Sequence, residues 1–284
     1  MEYVTLNNGL KMPMVGLGTY PLKGEILHDI LRVTYDLGYR LYDTAWLYKN
    51  ETDINKGLNK AGIKRENVFI TSKLHRDDIY WAYHPHYHMK IRSKSVKRAF
   101  ENSCKRLGTD YLDLFLIHYP FDGYEWMWED IVKLYKEGRI KAIGVSSFKP
   151  FHLEKLKQIS DIVPAVNQIE LNPFTTRKDI LEYCKNNGIT VEAFSPFGRG
   201  LLTKQIFEEP ILNDIAMRTE KSVAQVILRW VYQLGIVSIP RSNKTEKLKQ
   251  NIDIFNFNLS ESDMTAIDGL NRNMYTSGGI LRIE

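Results

Sequence analysis

The chain has 284 residues, of which 43% are hydrophobic, and this composition excludes an intrinsically disordered protein. Its 39 lysine and arginine residues exceed its 34 acidic residues, and the net charge of +5 suits an anionic small ligand as well as nucleic acid. The sequence predicts neither a secretory signal nor a membrane span. Its two cysteines, Cys104 and Cys184, have no disulfide or zinc spacing, so we expect a cytoplasmic protein.

The N-terminal segment YVTLNNGLKM has alternating apolar residues on both sides of Asn8-Gly9, which predicts a β-hairpin. Eight β-rich segments follow, at residues 14–20, 39–45, 68–74, 111–118, 140–146, 164–171, 189–196 and 236–241. Helical segments with apolar residues at three-to-four spacing lie between them, as at residues 25–38, 95–108, 127–138, 177–188 and 222–235. After the last strand, NLSESDMTAIDGL predicts a further helix that is capped by Ser260.

This alternation of strand and helix indicates a parallel sheet, and eight repeats favour an α/β fold closed into a (β/α)8 TIM barrel. The hairpin would then form a lid over the N-terminal end of the barrel. An open doubly wound sheet is the structural alternative, but Gly16-Leu17-Gly18-Thr19-Tyr20-Pro21 lacks the third glycine of its dinucleotide fingerprint. Because no linker or repeat divides the chain, we expect one barrel domain over residues 1–284.

We expect the functional site at the C-terminal ends of the strands, because TIM-barrel enzymes keep their active sites there. The longest gaps between predicted strands follow the third and the seventh, which indicates substrate loops or lids at that face. Four polar residues also fall at or just after strand ends: Asp43, Tyr48, Lys73 and His118. Each alone has an ordinary explanation as a solvated or packed side chain, but closure of the barrel would bring all four together.

These four side chains suit proton donation to an oxygen that is gaining negative charge, as happens when hydride reaches a carbonyl carbon. A tyrosine in water titrates near about 10 and is a weak acid at neutral pH. We expect the Lys73 ammonium to lower the pKa of Tyr48 and the Asp43 carboxylate to keep Lys73 charged. His118 would hydrogen-bond the oxygen of the carbonyl substrate.

Several segments in chain order resemble the aldo-keto reductase family: GYRLYDTAWLYKNE, ITSKL, LDLFLIHYP, GVSSF, NQIELNP, FSPFGRGLL and IPRSNKTEKLKQN. The likeness runs from MVGLGTY to the final NRN and covers almost the whole chain. It implies a (β/α)8 barrel that binds NADPH in extended form without a Rossmann fold. It also implies a catalytic tetrad of Asp43, Tyr48, Lys73 and His118, in which Tyr48 is the acid.

The resemblance implies cofactor contacts position by position. Gly18, Thr19 and Asp43 would lie beside the nicotinamide ribose, and Ser146, Ser147 and Gln168 would hold the carboxamide. Phe194 would stack on the nicotinamide, and Ser195, Gly198 and Leu201 would follow the pyrophosphate. Arg241 and Ser242 would bind the 2′-phosphate, with Lys247 and Asn251 near the adenine. Ser147, Phe194 and Lys247 stand where the family usually has asparagine, tyrosine and arginine. We expect NADPH, with NADH at lower preference.

The substrate pocket is predicted to be an aromatic slot, formed beside Tyr48 and His118 by Tyr20, Trp46, Tyr119 and Phe121. The loop after the third strand, HRDDIYWAYHPHYHMKIRS, departs most from the family pattern. Its alternating His84, His86 and His88 raise a metal hypothesis, but Pro85 interrupts regular strand geometry and no carboxylate or cysteine completes a ligand set. An aromatic lid is the preferred interpretation, and no metal is expected.

The sequence therefore predicts an NADPH-dependent reductase of small aldehydes or ketones that also oxidises the corresponding alcohols. We expect no nucleic acid, membrane or obligate protein partner. One alternative is a nicotinamide-binding redox sensor with little turnover, since fold does not fix function. Another is a metal-dependent barrel isomerase or hydrolase, in which Lys73 would repel the cation that Asp43, Glu170 and His118 would have to bind.

Overall fold

The computed structural model describes residues 1–83 and 89–275, and it describes the side chains of these residues except those of 80–94. His84, His86 and His88 lie outside the described residues, and so does the metal hypothesis that rests on them. The described part of the chain folds as an eight-stranded parallel barrel surrounded by helices, with a two-stranded antiparallel hairpin at its N-terminus.

The strands of the described residues fall in the predicted segments. They are β1 (Tyr3–Thr5), β2 (Lys11–Pro13), β3 (Gly16–Gly18), β4 (Leu41–Asp43), β5 (Phe69–Leu74), β6 (Leu112–Ile117), β7 (Ile140–Ser146), β8 (Val166–Glu170), β9 (Thr190–Phe194) and β10 (Val237–Ser238). β3 to β10 pair in chain order, each parallel to the next. The predicted (β/α)8 barrel is thereby confirmed.

The barrel closes where its first strand meets its last. A parallel bridge joins Val15 to Ser238, and the amide of Gly18 donates to the carbonyl oxygen of Pro240 at 3.1 Å. A Cβ atom at Gly18 would lie 2.8 Å from the carbonyl oxygen of Ile239, closer than side chains tolerate. Glycine is therefore required at position 18 for the two strands to approach.

Helices connect the strands and cover the outside of the barrel. They are α1 (Gly24–Asp36), α2 (Glu51–Lys60), α3 (Met89–Leu107), α4 (Tyr124–Lys136), α5 (Pro150–Ile159), α6 (Lys178–Asn186), α7 (Leu201–Phe207), α8 (Pro210–Thr219), α9 (Val223–Gln233), α10 (Thr245–Ile252) and α11 (Glu261–Asp268). The hydroxyl of Ser260 accepts a hydrogen bond from the amide of Asp263, so the predicted cap of the last helix is confirmed. Among these described helices, none combines the length and the apolar character needed to cross a membrane.

The N-terminal half of the barrel interior is apolar, and the hairpin covers it. Leu6, Met12 and Met14 pack against inward-facing residues of the strands, such as Leu41 and Leu114. The side-chain amides of Asn7 and Asn8 donate to the carbonyl oxygens of Pro164, at 3.2 Å, and Lys141, at 2.8 Å, at the starts of β8 and β7. The predicted lid is confirmed, and the polar residues of the barrel interior are left to its opposite end.

Candidate active site

A charged cluster lies inside the C-terminal half of the barrel. Asp43 ends β4, and Lys73 is the penultimate residue of β5, on the neighbouring strand. The ammonium of Lys73 lies 2.7 Å from each carboxylate oxygen of Asp43 and 3.2 Å from the hydroxyl of Tyr48. Tyr48 reaches this position because a short 3-10 helix, Trp46–Tyr48, turns the chain back over the end of β4. The structure therefore brings Asp43, Tyr48 and Lys73 together.

Burial decides the protonation states of this cluster. By itself burial would lower the pKa of Lys73, but the attraction of Asp43 outweighs it and holds this pKa above its ordinary value. Burial also raises the pKa of Asp43, while the two contacts to Lys73 and one to Gln168 oppose the rise. Burial raises the pKa of Tyr48 to about 12. Lys73 lowers that pKa as expected, but less than burial raises it, so the predicted net lowering is wrong for the protein without ligand.

His118 follows β6 and is buried beside the cluster. Its ring meets that of Tyr48 edge to face, with centroids 5.8 Å apart, and stacks on that of Tyr119 at 4.5 Å. Burial first, and then the positive charge of Lys73, holds the pKa of His118 well below its usual value. The imidazole is therefore neutral at physiological pH, and one of its nitrogens can donate a hydrogen bond.

Aromatic rings surround the mouth of this cluster. The ring of Tyr20 lies 5.1 Å from that of Tyr48, and Tyr119 lies 5.4 Å from Phe121. Sequence reasoning missed His75, whose ring stacks on Trp46 at 5.8 Å and meets Phe121 edge to face at 4.9 Å. Its position directly after β5, two residues beyond Lys73, was the available signal. All four predicted slot residues lie around the cluster, and His75 completes their wall.

A cavity of about 610 Å³ extends from this cluster along the join between β3 and β10. Twelve of the predicted site residues line it: Gly18, Thr19, Tyr20, Asp43, Tyr48, Phe194, Ser195, Gly198, Arg241, Ser242, Lys247 and Asn251. Arg199 and Lys244 also line it and were not predicted. Among the described lining residues Asp43 is the sole acid, so the end remote from Tyr48 is cationic and suits phosphate groups.

The predicted carboxamide residues Ser146, Ser147 and Gln168 belong to β7, the residue after it, and β8, and none of them is among the described residues that line the cavity. Ser146 ends β7, and Ser147 follows it with a left-handed backbone, at φ +65°. The buried hydroxyl of Ser147 has no hydrogen-bond partner among the described residues, so its hydrogen-bonding capacity is unused there. Leu201 does not line the cavity either, and it differs from these residues in being 83% exposed. Its role as a cofactor contact stays a prediction that the geometry does not favour.

Glu192 is a second buried acid that sequence reasoning missed. It lies in β9, fully buried, and its carboxyl oxygen Oε2 accepts a 2.6 Å hydrogen bond from the amide of Gln168. Burial, with repulsion from Asp43 as the next cause, raises the pKa of Glu192 to about 8. Its carboxyl group is therefore mostly protonated at neutral pH. The run TVEAF gives no signal beyond one acid in an apolar strand.

An eight-stranded barrel with tyrosine, lysine, aspartate and histidine at its C-terminal face has the arrangement of a carbonyl-reducing oxidoreductase. The sequence profile of the Aldo/keto reductase family matches residues 14–272, and the chain belongs to this family. The resemblance seen in the sequence is thereby confirmed.

Two relatives and one solved structure illustrate the likeness. A glyoxal reductase of Bacillus subtilis (strain 168) is 43% identical over 273 residues, covering 95% of this chain and 93% of the relative. The methylglyoxal reductase DkgA of Escherichia coli (strain K12) is 33% identical over 272 residues, with the shares again 95% and 93%. The structure of a Bombyx mori aldo-keto reductase in complex with NADP gives a TM-score of 0.86 at 30% identity, covering 97% of this chain and 94% of that one.

Proposed function

We propose that this protein reduces small aldehydes and ketones with NADPH, and oxidises the corresponding alcohols in reverse, with Tyr48 as the general acid. The contact of 3.2 Å between the Lys73 ammonium and the Tyr48 hydroxyl carries the proposal, because it places a cation beside a proton donor at the end of a cavity. The likeness to a glyoxal reductase and a methylglyoxal reductase supports short, reactive aldehydes as substrates.

The cavity residues fit NADPH. Arg241 and Ser242 lie at its cationic end, where a guanidinium and a hydroxyl suit the 2′-phosphate that distinguishes NADPH from NADH. Lys244 and Lys247 add positive charge there, and Asn251 would lie near the adenine. The hydroxyl of Ser147, which has no partner among the described residues, suits the nicotinamide carboxamide, although Ser147 does not line the cavity. NADPH, when bound, supplies the hydride that reduces the carbonyl carbon.

The chain's own residues then handle the proton. Tyr48 is a phenol at neutral pH, because its pKa is about 12, and so it holds the proton that the carbonyl oxygen needs as it gains negative charge. Donation leaves a phenolate, which the nearby ammonium of Lys73 stabilises. Asp43 keeps Lys73 protonated and aimed through its two contacts of 2.7 Å.

His118 orients the substrate. As a neutral imidazole it donates a hydrogen bond to the carbonyl oxygen without competing with Tyr48 as an acid. Trp46, His75 and Phe121 form an aromatic wall that excludes water and holds the apolar part of the substrate.

Loss of NADPH absorbance with methylglyoxal and with an aromatic aldehyde tests this function. The Tyr48→Phe protein should lose about a hundredfold or more of its turnover while it still binds NADPH. The matched control is Tyr3→Phe, which removes a tyrosine hydroxyl from the hairpin at the opposite end of the barrel. Near wild-type turnover by Tyr48→Phe would contradict the assignment of the acid. NADPH binding without turnover on a panel of carbonyls would instead favour the redox-sensor alternative.

A further inference from the structure

The buried carboxyl group of Glu192 takes no part in the proton transfer described above. Glu192 on β9 is the register neighbour of Gln168 on β8, and both side chains lie in the barrel interior. The amide nitrogen of Gln168 lies 2.6 Å from Oε2 of Glu192 and 2.8 Å from Oδ2 of Asp43. A primary amide nitrogen carries two hydrogens, and here each has its own carboxyl acceptor.

These two acceptors fix which way the amide of Gln168 points. If the amide were reversed, its oxygen would face the carboxylate of Asp43, and two acceptors would repel one another. Asp43 alone would hold one hydrogen and leave the amide plane able to swing. With Glu192 as the second acceptor, both amide hydrogens are bonded, so the amide plane cannot rotate and the orientation of the Gln168 oxygen is fixed. In the described residues no donor reaches that oxygen, so it is available to a donor on a ligand.

We propose that Glu192 is a positioning residue of the cofactor site, which together with Asp43 fixes the amide of Gln168 so that its oxygen accepts from the carboxamide amino group of the nicotinamide. This inference rests on the proposed function, since it requires NADPH or NADP⁺ in the cavity. It adds a role for a residue that touches neither substrate nor cofactor.

The neutral state of Glu192 suits this role. The groups that act on it inside the barrel are Asp43 on β4, Lys73 on β5 and Gln168 on β8. A second carboxylate there would share the single ammonium of Lys73 with Asp43. Because burial raises the pKa of Glu192 to about 8, its carboxyl group can accept from Gln168 near neutral pH without adding that charge.

The test compares the affinity of the protein for NADP⁺ with its affinity for the 3-acetylpyridine analogue, which has a methyl group in place of the carboxamide amino group. Glu192→Leu removes the acceptor, and Glu192→Gln retains an acceptor oxygen at nearly the same place. We expect wild type and Glu192→Gln to bind NADP⁺ more tightly than the analogue. Glu192→Leu should weaken NADP⁺ binding about three- to tenfold, the effect of one hydrogen bond, and leave binding of the analogue unchanged.

Two outcomes would overturn the proposal. If Glu192→Leu lowered the affinities for NADP⁺ and for the analogue equally, the substitution would have damaged the site in general. If its preference for NADP⁺ over the analogue were undiminished, Glu192 would not orient Gln168. If Glu192→Leu fails to fold, Glu192→Ala removes the same acceptor with less demand on space. If the wild-type protein consumed NADPH but the Glu192 variants kept its preference for NADP⁺ over the analogue, this inference alone would be refuted. A wild-type protein that neither binds NADP⁺ nor consumes NADPH would refute the proposed function along with it.

Discussion

The ammonium of Lys73 lies 3.2 Å from the hydroxyl oxygen of Tyr48, inside a barrel end where Lys73 is fully buried. A charge so poorly screened by water acts strongly on a phenolate that forms beside it. We predict that Lys73→Met lowers kcat for carbonyl reduction about a hundredfold or more and changes the dissociation constant for NADPH only slightly. Steady-state kinetics and cofactor titration would measure both.

The control for this variant addresses folding. Lys73→Met leaves the buried carboxylate of Asp43 without its counter-ion, which costs about 3–5 kcal/mol of unfolding free energy. The double variant Asp43→Asn with Lys73→Met removes the unpaired charge and should recover stability without recovering activity. A single variant that folds well and keeps kcat within tenfold of wild type would contradict the role of Lys73.

The depressed pKa of His118 makes a prediction about pH. A histidine whose pKa is lowered stays neutral as the pH falls through about 6.5, so His118 should not contribute an acid limb between about pH 6 and about pH 8. We expect His118→Leu to lower kcat/KM about a hundredfold, as loss of one oriented donor does, and to leave the shape of the profile over this range unchanged. A step near pH 6.5 in wild type that disappears in the variant would show a titrating imidazole instead.

The backbone at Ser147 offers a stabilising substitution. Its φ of +65° is a left-handed conformation that asparagine adopts more readily than serine. We predict that Ser147→Asn raises the free energy of unfolding by about 0.5–1 kcal/mol. It should also tighten NADPH binding, because the side-chain amide of asparagine reaches further toward the carboxamide than the unpartnered serine hydroxyl does. Thermal unfolding and cofactor titration would show both effects.

Glu220 provides a matched control for Ser147. It has a φ of +54° at the end of α8, it is exposed, and it does not line the cavity. Glu220→Asn should therefore raise thermal stability without changing the affinity for NADPH. If both variants changed the affinity for NADPH equally, the effect at Ser147 would reflect the general stability of the protein and not a contact with the carboxamide.

Arg241 is predicted to separate NADPH from NADH. Arg241→Ala should raise KM for NADPH about 10- to 100-fold, which is the loss of a charge-assisted phosphate contact, and leave KM for NADH nearly unchanged. Parallel kinetics with the two cofactors would measure the ratio. Arg32→Ala, at an exposed position of α1, removes the same charge elsewhere and should alter neither KM. Equal losses with both cofactors would contradict a 2′-phosphate contact at Arg241.

The strands of this fold could be predicted because their patterns are local. Each β-rich segment is bounded by glycine, proline or a helical period, so the sequence predicts all eight barrel strands, and Asn8-Gly9 predicts the hairpin. Asp43 and Lys73 are predictable as site residues because strand ends in a barrel share one face. Their proximity then followed from the order of the strands.

The rest of the site depends on packing that no local pattern records. Glu192 is one acid in an apolar strand, and only the closed barrel shows that it meets Gln168. The sequence does not predict the raised pKa of Tyr48, because its neighbours in sequence do not reveal how deeply the hydroxyl is desolvated. Lys244 lies in the same run as Arg241, yet which of its cations face the cavity depends on how α10 begins.

The position of the cavity along the junction between β3 and β10 links ligand binding to the stability of the barrel. One bridge and the hydrogen bond from Gly18 to Pro240 hold this seam, whereas β5, β6 and β7 share long ladders. The cavity runs along the seam, with Thr19 on one side and Ile239 on the other. A dinucleotide bound there would contact both the first barrel strand, β3, and the last, β10, and so hold them together. Amide hydrogens at this seam should exchange more slowly when the dinucleotide is bound. The barrel would then be most stable against unfolding in the state that holds the cofactor.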